Sequence, residues 1–435
     1  MQVSIETTKG LERRMTITVP AARVDSEVNE RINKTARTVR MDGFRPGKVP
    51  LAVVKKRFGA SIRQEALGDL IRDSFYEAIT QEKLNPAGFP TIESVKDEGF
   101  DDVAFVASFE VYPEIKLASL SGVNVERPVA SVGDADVDKM IDNLRRQRAT
   151  WVDSSAAAND GDRLDIDFDG SVDGEAFEGG ASKGFSLALG SKRMIPGFED
   201  QLIGVKAGEE RSLNVTFPAD YQAEALKGKA AVFKVKVNSV QTPLLPEVDG
   251  EFIKAFGVSD GGLDKFKADV KKNMERELKQ AIKNKTKGQA LDGLLSANTL
   301  DVPKALVANE IGRLRQNMLQ QFGGNAKNVN PDMLPDDLFA EQAKRSVTLG
   351  LLIGEIIKSA ELVVDGDKVR ALIEEIAESY ETPAEVVNWY YGNKEQLQQV
   401  EAVVLEDQVV EHILAQAQVT DKVTAYEEVL RPQQQ

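Results

Sequence analysis

The spacing of the apolar residues changes twice along this 435-residue chain, and no single-layer fold can satisfy both patterns. Over residues 150–243 they alternate at strand spacing, in Leu164-Ile166-Phe168, in Leu213-Val215-Phe217 and from Val232 through Val240. Glycine-rich turns at Gly170, Gly174, Gly179-Gly180, Gly204 and Gly208 divide those runs, and Thr242-Pro243-Leu244-Leu245-Pro246 reads as a linker. From residue 247 onward the spacing is helical, and Leu263, Phe266, Val270, Met274, Leu278 and Ile282 mark one long helix. A strand-period segment cannot bury its apolar set as a helix, nor the reverse, so these are distinct elements, and 435 residues are enough for roughly three domains.

The N-terminal part, residues 1–115, carries both patterns. Val3 and Ile5, then Met15, Ile17 and Val19, alternate like half-buried strands, while Val24, Val28 and Ile32 recur every four residues. Pro50 suits a first helical position, and Ile62, Ala66, Leu70 and Ser74/Phe75 form a second helical stripe. Val103, Phe105, Ala107, Phe109 and Val111 close the region as a strand. Residues 116–149 look like a connector with a strand-like piece and a helix from Val137 to Arg148. In the helical part, Pro303 and Gly323-Gly324 bracket one helix, Asp365 and Thr382-Pro383 start two more, and residues 395–418 form the last. No fixed period recurs, which argues against a tandem repeat. The expected fold is multidomain α+β: an α+β domain over 1–115, a connector over 116–149, a β-rich domain over 150–243 and an all-α domain over 244–435.

Between the first two helical stripes lies Gly43-Phe44-Arg45-Pro46-Gly47-Lys48-Val49-Pro50. Two glycines and two prolines forbid a helix or central strand across it, so it is a turn presenting one large ring and two cations. Arg37, Arg40, Lys55, Lys56 and Arg57 surround it in sequence, opposed only by Asp42. The formal net charge is −15, yet the N-terminal region is basic and the C-terminal end strongly acidic. Such asymmetry suits a basic end that meets a polyanion or acidic surface. The alternative is a surface loop whose Phe44 folds back onto its own domain.

Composition narrows the chemistry. There is no cysteine and one histidine, His412, set in the helical run Val409, Val410, Ile413, Leu414. Disulfides, thiol nucleophiles and Cys/His zinc sites are excluded, and any catalysis is expected to avoid covalent intermediates. Asp165-x-Asp167-x-Asp169-Gly170 mimics the start of an EF-hand loop, but the twelfth position is Ala176 and the flanks have strand period. The aspartates read as the solvent face of a strand, and no metal or other cofactor is expected. The start, Met1-Gln2-Val3-Ser4-Ile5-Glu6, has no basic n-region, and Glu355 and Lys358 cut the apolar run at Leu349 short of a membrane span. The expectation is a soluble, cytoplasmic protein.

The β-rich region carries an ordered series of motifs. These are Asp167-Phe168-Asp169-Gly170, Asp173-Gly174-Glu175-Ala176-Phe177-Glu178, Phe185-Ser186-Leu187-Ala188-Leu189-Gly190, Met194-Ile195-Pro196-Gly197-Phe198-Glu199, Gly204-Val205-Lys206-Ala207-Gly208-Glu209, Phe217-Pro218-Ala219-Asp220-Tyr221 and Phe233-Lys234-Val235. In order and spacing the region resembles an FKBP-type peptidyl-prolyl isomerase, which implies a β-rich fold with a short helix. The resemblance implies a pocket of Phe168, Phe177, Phe185, Met194, Ile195, Phe198, Tyr221 and Phe233, with Glu178 beside its second aromatic. Many family members have an indole where this chain has Phe198 and an aspartate where it has Glu178. The pocket suits the chemistry. Rotating an X-Pro bond means crossing a barrier of ~18–20 kcal/mol set by amide resonance, which a dry site favouring the twisted amide lowers without acid, base or nucleophile. The alternative is that the aromatics form only the β core.

Domain order extends the likeness to the whole chain. The docking turn, the FKBP-type region and the acidic helical end together resemble the bacterial trigger factor family. Supporting stretches are Gly59-Ala60-Ser61-Ile62-Arg63-Gln64, Asn85-Pro86-Ala87-Gly88, Phe109-Glu110-Val111-Tyr112-Pro113-Glu114 and Asn273-Met274-Glu275-Arg276-Glu277-Leu278-Lys279. The resemblance implies an ATP-independent chaperone docked on the large ribosomal subunit near the exit tunnel, holding nascent and unfolded polypeptides and pairing as a homodimer off the ribosome. Phe44, Arg45 and Lys48 would make the ribosome contacts, with Gly43 and Gly47 shaping the turn. Family members often carry a further cation where this chain has Pro46, which leaves docking affinity open. Met318, Phe322, Met333, Leu334, Leu338 and Phe339 cluster where a helix ends, and Met318, Phe322, Leu338 and Phe339 are candidate substrate contacts; flexible aliphatic surfaces suit promiscuous binding. No membrane or DNA partner is expected, since helix-turn-helix, zinc-module and aromatic-sheet signatures are absent. The rival readings are a freestanding prolyl isomerase whose helices serve as a dimerisation scaffold, and an inactive FKBP-like peptide binder.

Overall fold

The structure, a computed structural model, describes residues 1–42, 44, 47–96, 102–221, 223–258, 260, 262–321, 334–378, 380 and 382–431. The chain divides into two compact units: Met1–Arg127 with Asn284–Lys422, and Pro128–Lys283 with the residues from Val423.

The first unit opens with β1 (Gln2–Thr7), β2 (Glu12–Val19), α1 (Ala21–Thr38), α2 (Leu51–Gln81), β3 (Thr91–Lys96) and β4 (Val103–Glu110). The strands form an antiparallel sheet in the order β1-β2-β4-β3. Alternation puts Met15, Ile17 and Val19 of β2 and Val103, Phe105, Ala107 and Phe109 of β4 on the buried face. Against them lie the stripes Val24, Val28, Ile32 of α1 and Ile62, Ala66, Leu70, Phe75 of α2. Phe75 meets Phe109 edge-on at 5.1 Å. Pro20 and Pro50 cap the two helices from outside, where a missing N–H costs nothing. Pro50 thus stands one position before the first helical residue.

Next come β5 (Asn124–Val129) and α3 (Asp134–Gln147), the helix buried through Val137 and Ile141. The β-rich domain follows, with β6 (Thr150–Ser154), β7 (Arg163–Val172), β8 (Glu175–Ala188), β9 (Glu210–Thr216) and β10 (Ala230–Leu244). All pairings are antiparallel, and β10 is the organising strand: β7 runs along one edge, while β9 and then β6 share the other. β8 pairs with β7. Leu164, Ile166, Leu187, Leu202, Leu213 and Val237 fill the centre. The short helix of this domain is a 3₁₀ turn, Asp200–Leu202. Thr242, Pro243 and Leu244 are not linker but the end of β10, opposite Val152, Trp151 and Thr150 of β6. Proline is tolerated near a strand end, and its signal misled the sequence reading there.

The remainder is largely helical: α4 (Gly250–Lys254), α5 (Gly262–Ala297), α6 (Lys304–Gln321), α7 (Asp337–Ser359), α8 (Gly366–Ala377), α9 (Pro383–Gly392) and α10 (Lys394–Gln416). Asp249, Asp365 and Asn393 cap α4, α8 and α10 by accepting backbone N–H bonds. α5 gives Phe266, Val270, Met274 and Leu278 to the core of the second unit. Its later residues Ala290 and Leu294 join Leu352, Ile356, Val409 and Ile413 in the first. After α10, β11 (Gln418–Val423) pairs with β5, and α11 (Tyr426–Leu430) ends the described chain. The C-terminal part is thus largely helical, as its spacing indicated, and β11 is the exception. Its partner lies far upstream, so local spacing carried no trace of the pairing.

Candidate functional site

Five separate segments of the β-rich domain converge on one cleft. β7 presents Phe168 on its inward face, in step with Leu164 and Ile166. β8 contributes Phe177 and Phe185, its register against β7 shifted between Ile166 and Phe168 and again between Asp169 and Ser171. Such irregularities re-aim side chains at the rim of a sheet. The segment after β8 supplies Arg193, Met194, Ile195 and Pro196, the segment after β9 Phe217, Pro218 and Tyr221, and β10 Phe233. Together with Gly179 these line a cleft of ≈ 350 Å³.

The rings hold one another mainly by edge contacts. Phe168 meets Phe185 at 5.7 Å, and Phe177 meets Phe233 at 6.0 Å and Phe217 at 5.7 Å. Phe217 and Tyr221 lie 4.7 Å apart. Beneath them Phe198 is fully buried, with Phe233 at 5.3 Å and Phe168 at 6.1 Å. Edge-to-face packing fixes ring orientation as well as position. Seven of the nine residues named from the sequence therefore line the cleft: Phe168, Phe177, Phe185, Met194, Ile195, Tyr221 and Phe233. Phe198 supports it from below, and Glu178 is exposed and outside the lining. Phe217, Pro218, Pro196, Gly179 and Arg193 were missed. Phe217 continues the inward parity of Leu213 and Val215, so its spacing read as core.

Two carboxylates adjacent in sequence to Phe198 and Phe168 are held below the usual range, for different reasons. Glu199 is buried, which pushes its pKa up, but backbone N–H groups of Lys192, Met194 and Arg193 and the Ser191 hydroxyl more than reverse this. No sequence signal separated this glutamate from the exposed ones. Asp167 accepts from the Gly184 N–H at 2.8 Å and Asn238 Nδ2 at 2.9 Å, and both bonds lower its pKa. Asn238 also bonds Asp165, so Asp165 and Asp167 of the EF-hand look-alike stand on the outward face of β7, tied to a neighbouring strand.

In the N-terminal turn, Phe44 is 38% exposed and its N–H bonds the Met41 carbonyl. Lys48 is exposed and Val49 buried, so the chain is anchored just past the cation. Gly47 takes φ +78, a left-handed turn that favours glycine. Gly43, Arg45 and Pro46 lie outside the described residues. Arg37, Arg40, Lys55, Lys56 and Arg57 are exposed. In the helical part, Leu338 is 59% exposed, while Phe339 is buried with Ile311 and Ala343, and Met318 packs against them half-buried. Phe322 and Met333 lie outside the described residues. No described helix is long and apolar enough to cross a membrane.

Comparison with known proteins gives consistent matches along the chain. Residues 1–144 match the bacterial trigger factor protein, 154–238 the FKBP-type peptidyl-prolyl cis-trans isomerase, and 262–415 the bacterial trigger factor C-terminus. A trigger factor of Alcanivorax borkumensis is 54% identical over 435 residues, covering 100% of this chain and 99% of its own. The chain belongs to the bacterial trigger factor family. A trigger factor of Pseudomonas aeruginosa is 55% identical over 432 residues, 99% of this chain and 98% of its own. A solved trigger factor chaperone covers 95% of this chain and 99% of its own at 17% identity, with a TM-score of 0.48. As a family member the protein is a ribosome-associated chaperone with an FKBP-type prolyl isomerase domain, and nascent chains are its substrates.

Proposed function

We propose that the aromatic cleft is the prolyl isomerase site and that the Phe44 turn is the ribosome contact. The convergence of seven apolar and aromatic side chains from five segments on one ≈ 350 Å³ cleft carries the first reading. Phe168, Phe177, Phe185 and Phe233 surround the proline ring with Met194 and Ile195, Phe198 forms the floor, and the Tyr221 hydroxyl donates to the substrate backbone. Glu178 stands outside and tunes approach by charge. The enclosed apolar surface disfavours the planar, more polar amide and favours the twisted one, lowering a barrier of ~18–20 kcal/mol without a covalent intermediate or nucleotide.

Phe44, Arg45 and Lys48, on a turn shaped by Gly43 and Gly47, dock on the large subunit near the exit tunnel. The exposed ring and the surrounding cations support this: an apolar anchor with phosphate-facing charge gives salt-dependent binding. The helices of the C-terminal part, with Leu338 outward, Met318 half-buried and Phe322 alongside in sequence, hold emerging chains, and Phe339 underpins them. The protein acts in the cytoplasm.

Co-sedimentation with vacant ribosomes over a salt series tests the docking, with Phe44→Ala/Arg45→Ala/Lys48→Ala as comparison. Wild type pellets at low salt, and the triple variant stays in solution while keeping full isomerase activity on a proline peptide. If neither pellets, the turn is structural and the protein works as a freestanding isomerase. If wild type shows no isomerase activity, the cleft is a peptide-binding site only.

A further inference from the structure

Glu199 lies directly after the cleft floor residue Phe198 and is only 7% exposed. Its carboxylate accepts four hydrogen bonds, all from the segment that builds one wall of the cleft. Oε1 takes the Ser191 hydroxyl at 3.1 Å, the Arg193 N–H at 3.0 Å and the Met194 N–H at 3.2 Å; Oε2 takes the Lys192 N–H at 3.0 Å. Three successive backbone N–H groups converging on one anion form a nest, the arrangement proteins use to bind phosphates. Here the anion is the chain's own. Lys192 reaches the geometry at φ +55, a left-handed conformation that a non-glycine residue keeps only when its surroundings enforce it. Gly197 at φ +84 lets the chain double back so that Glu199 faces Ser191–Met194.

We infer that Glu199 is a positioning residue for prolyl isomerisation, clamping Ser191–Met194 so that Met194 and Ile195 meet the substrate proline. The assignment rests on the aromatic cleft being the proline site. Met194 and Ile195 lie in no strand or helix, so the sheet hydrogen bonds that hold Phe168 and Phe233 do not hold them. The carboxylate supplies what the ladder does not. Charged acceptors form the stronger hydrogen bonds, and a buried anion stays only while all its donors converge. A wall displaced by about 1 Å misplaces the groups that favour the twisted amide, with losses that reach roughly a hundredfold in well-ordered sites.

The test compares full-length wild type, Glu199→Gln and Glu199→Asp. Three readouts are taken well below the unfolding temperature: kcat and KM on a proline tetrapeptide, amide hydrogen exchange at residues 192–194, and the thermal transition. Glu199→Gln keeps the shape but loses the charge and turns an amide N–H towards backbone donors. Its kcat/KM falls about tenfold or more, and exchange at 192–194 rises by a similar factor while β7 and β10 stay protected. Glu199→Asp, which keeps the charge, recovers part of both. Should Glu199→Gln not fold, Ser191→Ala removes one donor and leaves the anion in place; a two- to threefold loss in the same direction supports the clamp. Wild-type kcat/KM in a folded Glu199→Gln with a lowered transition overturns it, leaving a purely structural carboxylate. A wild-type protein without isomerase activity but with slow exchange at 192–194 overturns the proline-site assignment instead, and with it the catalytic role of the clamp.

Discussion

Gly170 and Phe233 face each other across β7 and β10, and a Cβ at position 170 would stand 2.5 Å from Phe233 Cε1 and 2.8 Å from Cδ1. The Gly180 carbonyl oxygen would be 3.0 Å away on another side. Phe233 is itself buried, with Phe198 and Phe177 against its ring. The absent side chain at 170 therefore sets where a ring of the aromatic cleft lies.

Gly170→Ala forces that ring out of place. The substitution destabilises the domain by about 1–3 kcal/mol, the usual cost of overpacking. Its kcat/KM on a proline peptide falls further than a comparable loss of stability elsewhere in the sheet would cause. Isomerase assays beside thermal melts separate the two effects, with Gly208→Ala, which meets nothing within 4 Å but is strained at φ +83, supplying a loss of stability away from the cleft.

Tyr221→Phe isolates the hydroxyl. The ring keeps its 4.7 Å contact with Phe217, so folding is unchanged. The proposed hydrogen bond to the substrate backbone is lost, which lowers kcat/KM about two- to tenfold. Tyr221→Ala removes ring and hydroxyl together and costs more, while an undiminished Tyr221→Phe would mean that the hydroxyl does not touch substrate.

Glu199 also predicts a pH dependence of stability. Its folded pKa is lowered, so the stabilisation is complete above the ordinary glutamate range and is lost as pH falls through the folded value. The stability difference between wild type and Glu199→Gln is therefore flat at neutral pH and shrinks in acid. The neighbouring charges Lys192, Arg193 and Asp200 are exposed and present in both proteins. The chain has two tryptophans, Trp151 and Trp389, so Trp151 fluorescence in a Trp389→Phe background follows this domain alone.

Leu338 and Phe339 are adjacent in sequence and opposite in exposure. Leu338→Asp leaves the thermal transitions and isomerase activity intact and weakens suppression of aggregation of a refolding client. Phe339→Ala instead empties part of the core shared with Ile311 and Ala343 and costs about 3–5 kcal/mol locally. Equal holdase activity in Leu338→Asp and wild type would place the client surface elsewhere on the helices.

Much of this architecture was legible from periodicity. The inward faces of β2, β4, β7 and β9 follow alternation, and the stripes of α1, α2 and α5 follow four-residue spacing, because burial repeats with the geometry of each element. Capping residues marked Asp365 and Thr382-Pro383 for the same local reason. β11 escaped because its partner β5 is remote, and the end of β10 escaped because Pro243 speaks against a strand unless the strand is near its end.

The sequence by itself determined the domain order, the class of each domain, the family and the aromatic residues from which a proline site could be made. These depend on local spacing and ordered motifs, which a linear chain displays directly. Only the tertiary structure decided that Phe198 lies beneath the cleft, that Glu178 stands outside it, that Phe217 belongs to it and that Glu199 accepts hydrogen bonds from its wall. Each of those outcomes depends on which segments distant in sequence come within a few ångströms, and no spacing rule along the chain encodes that proximity.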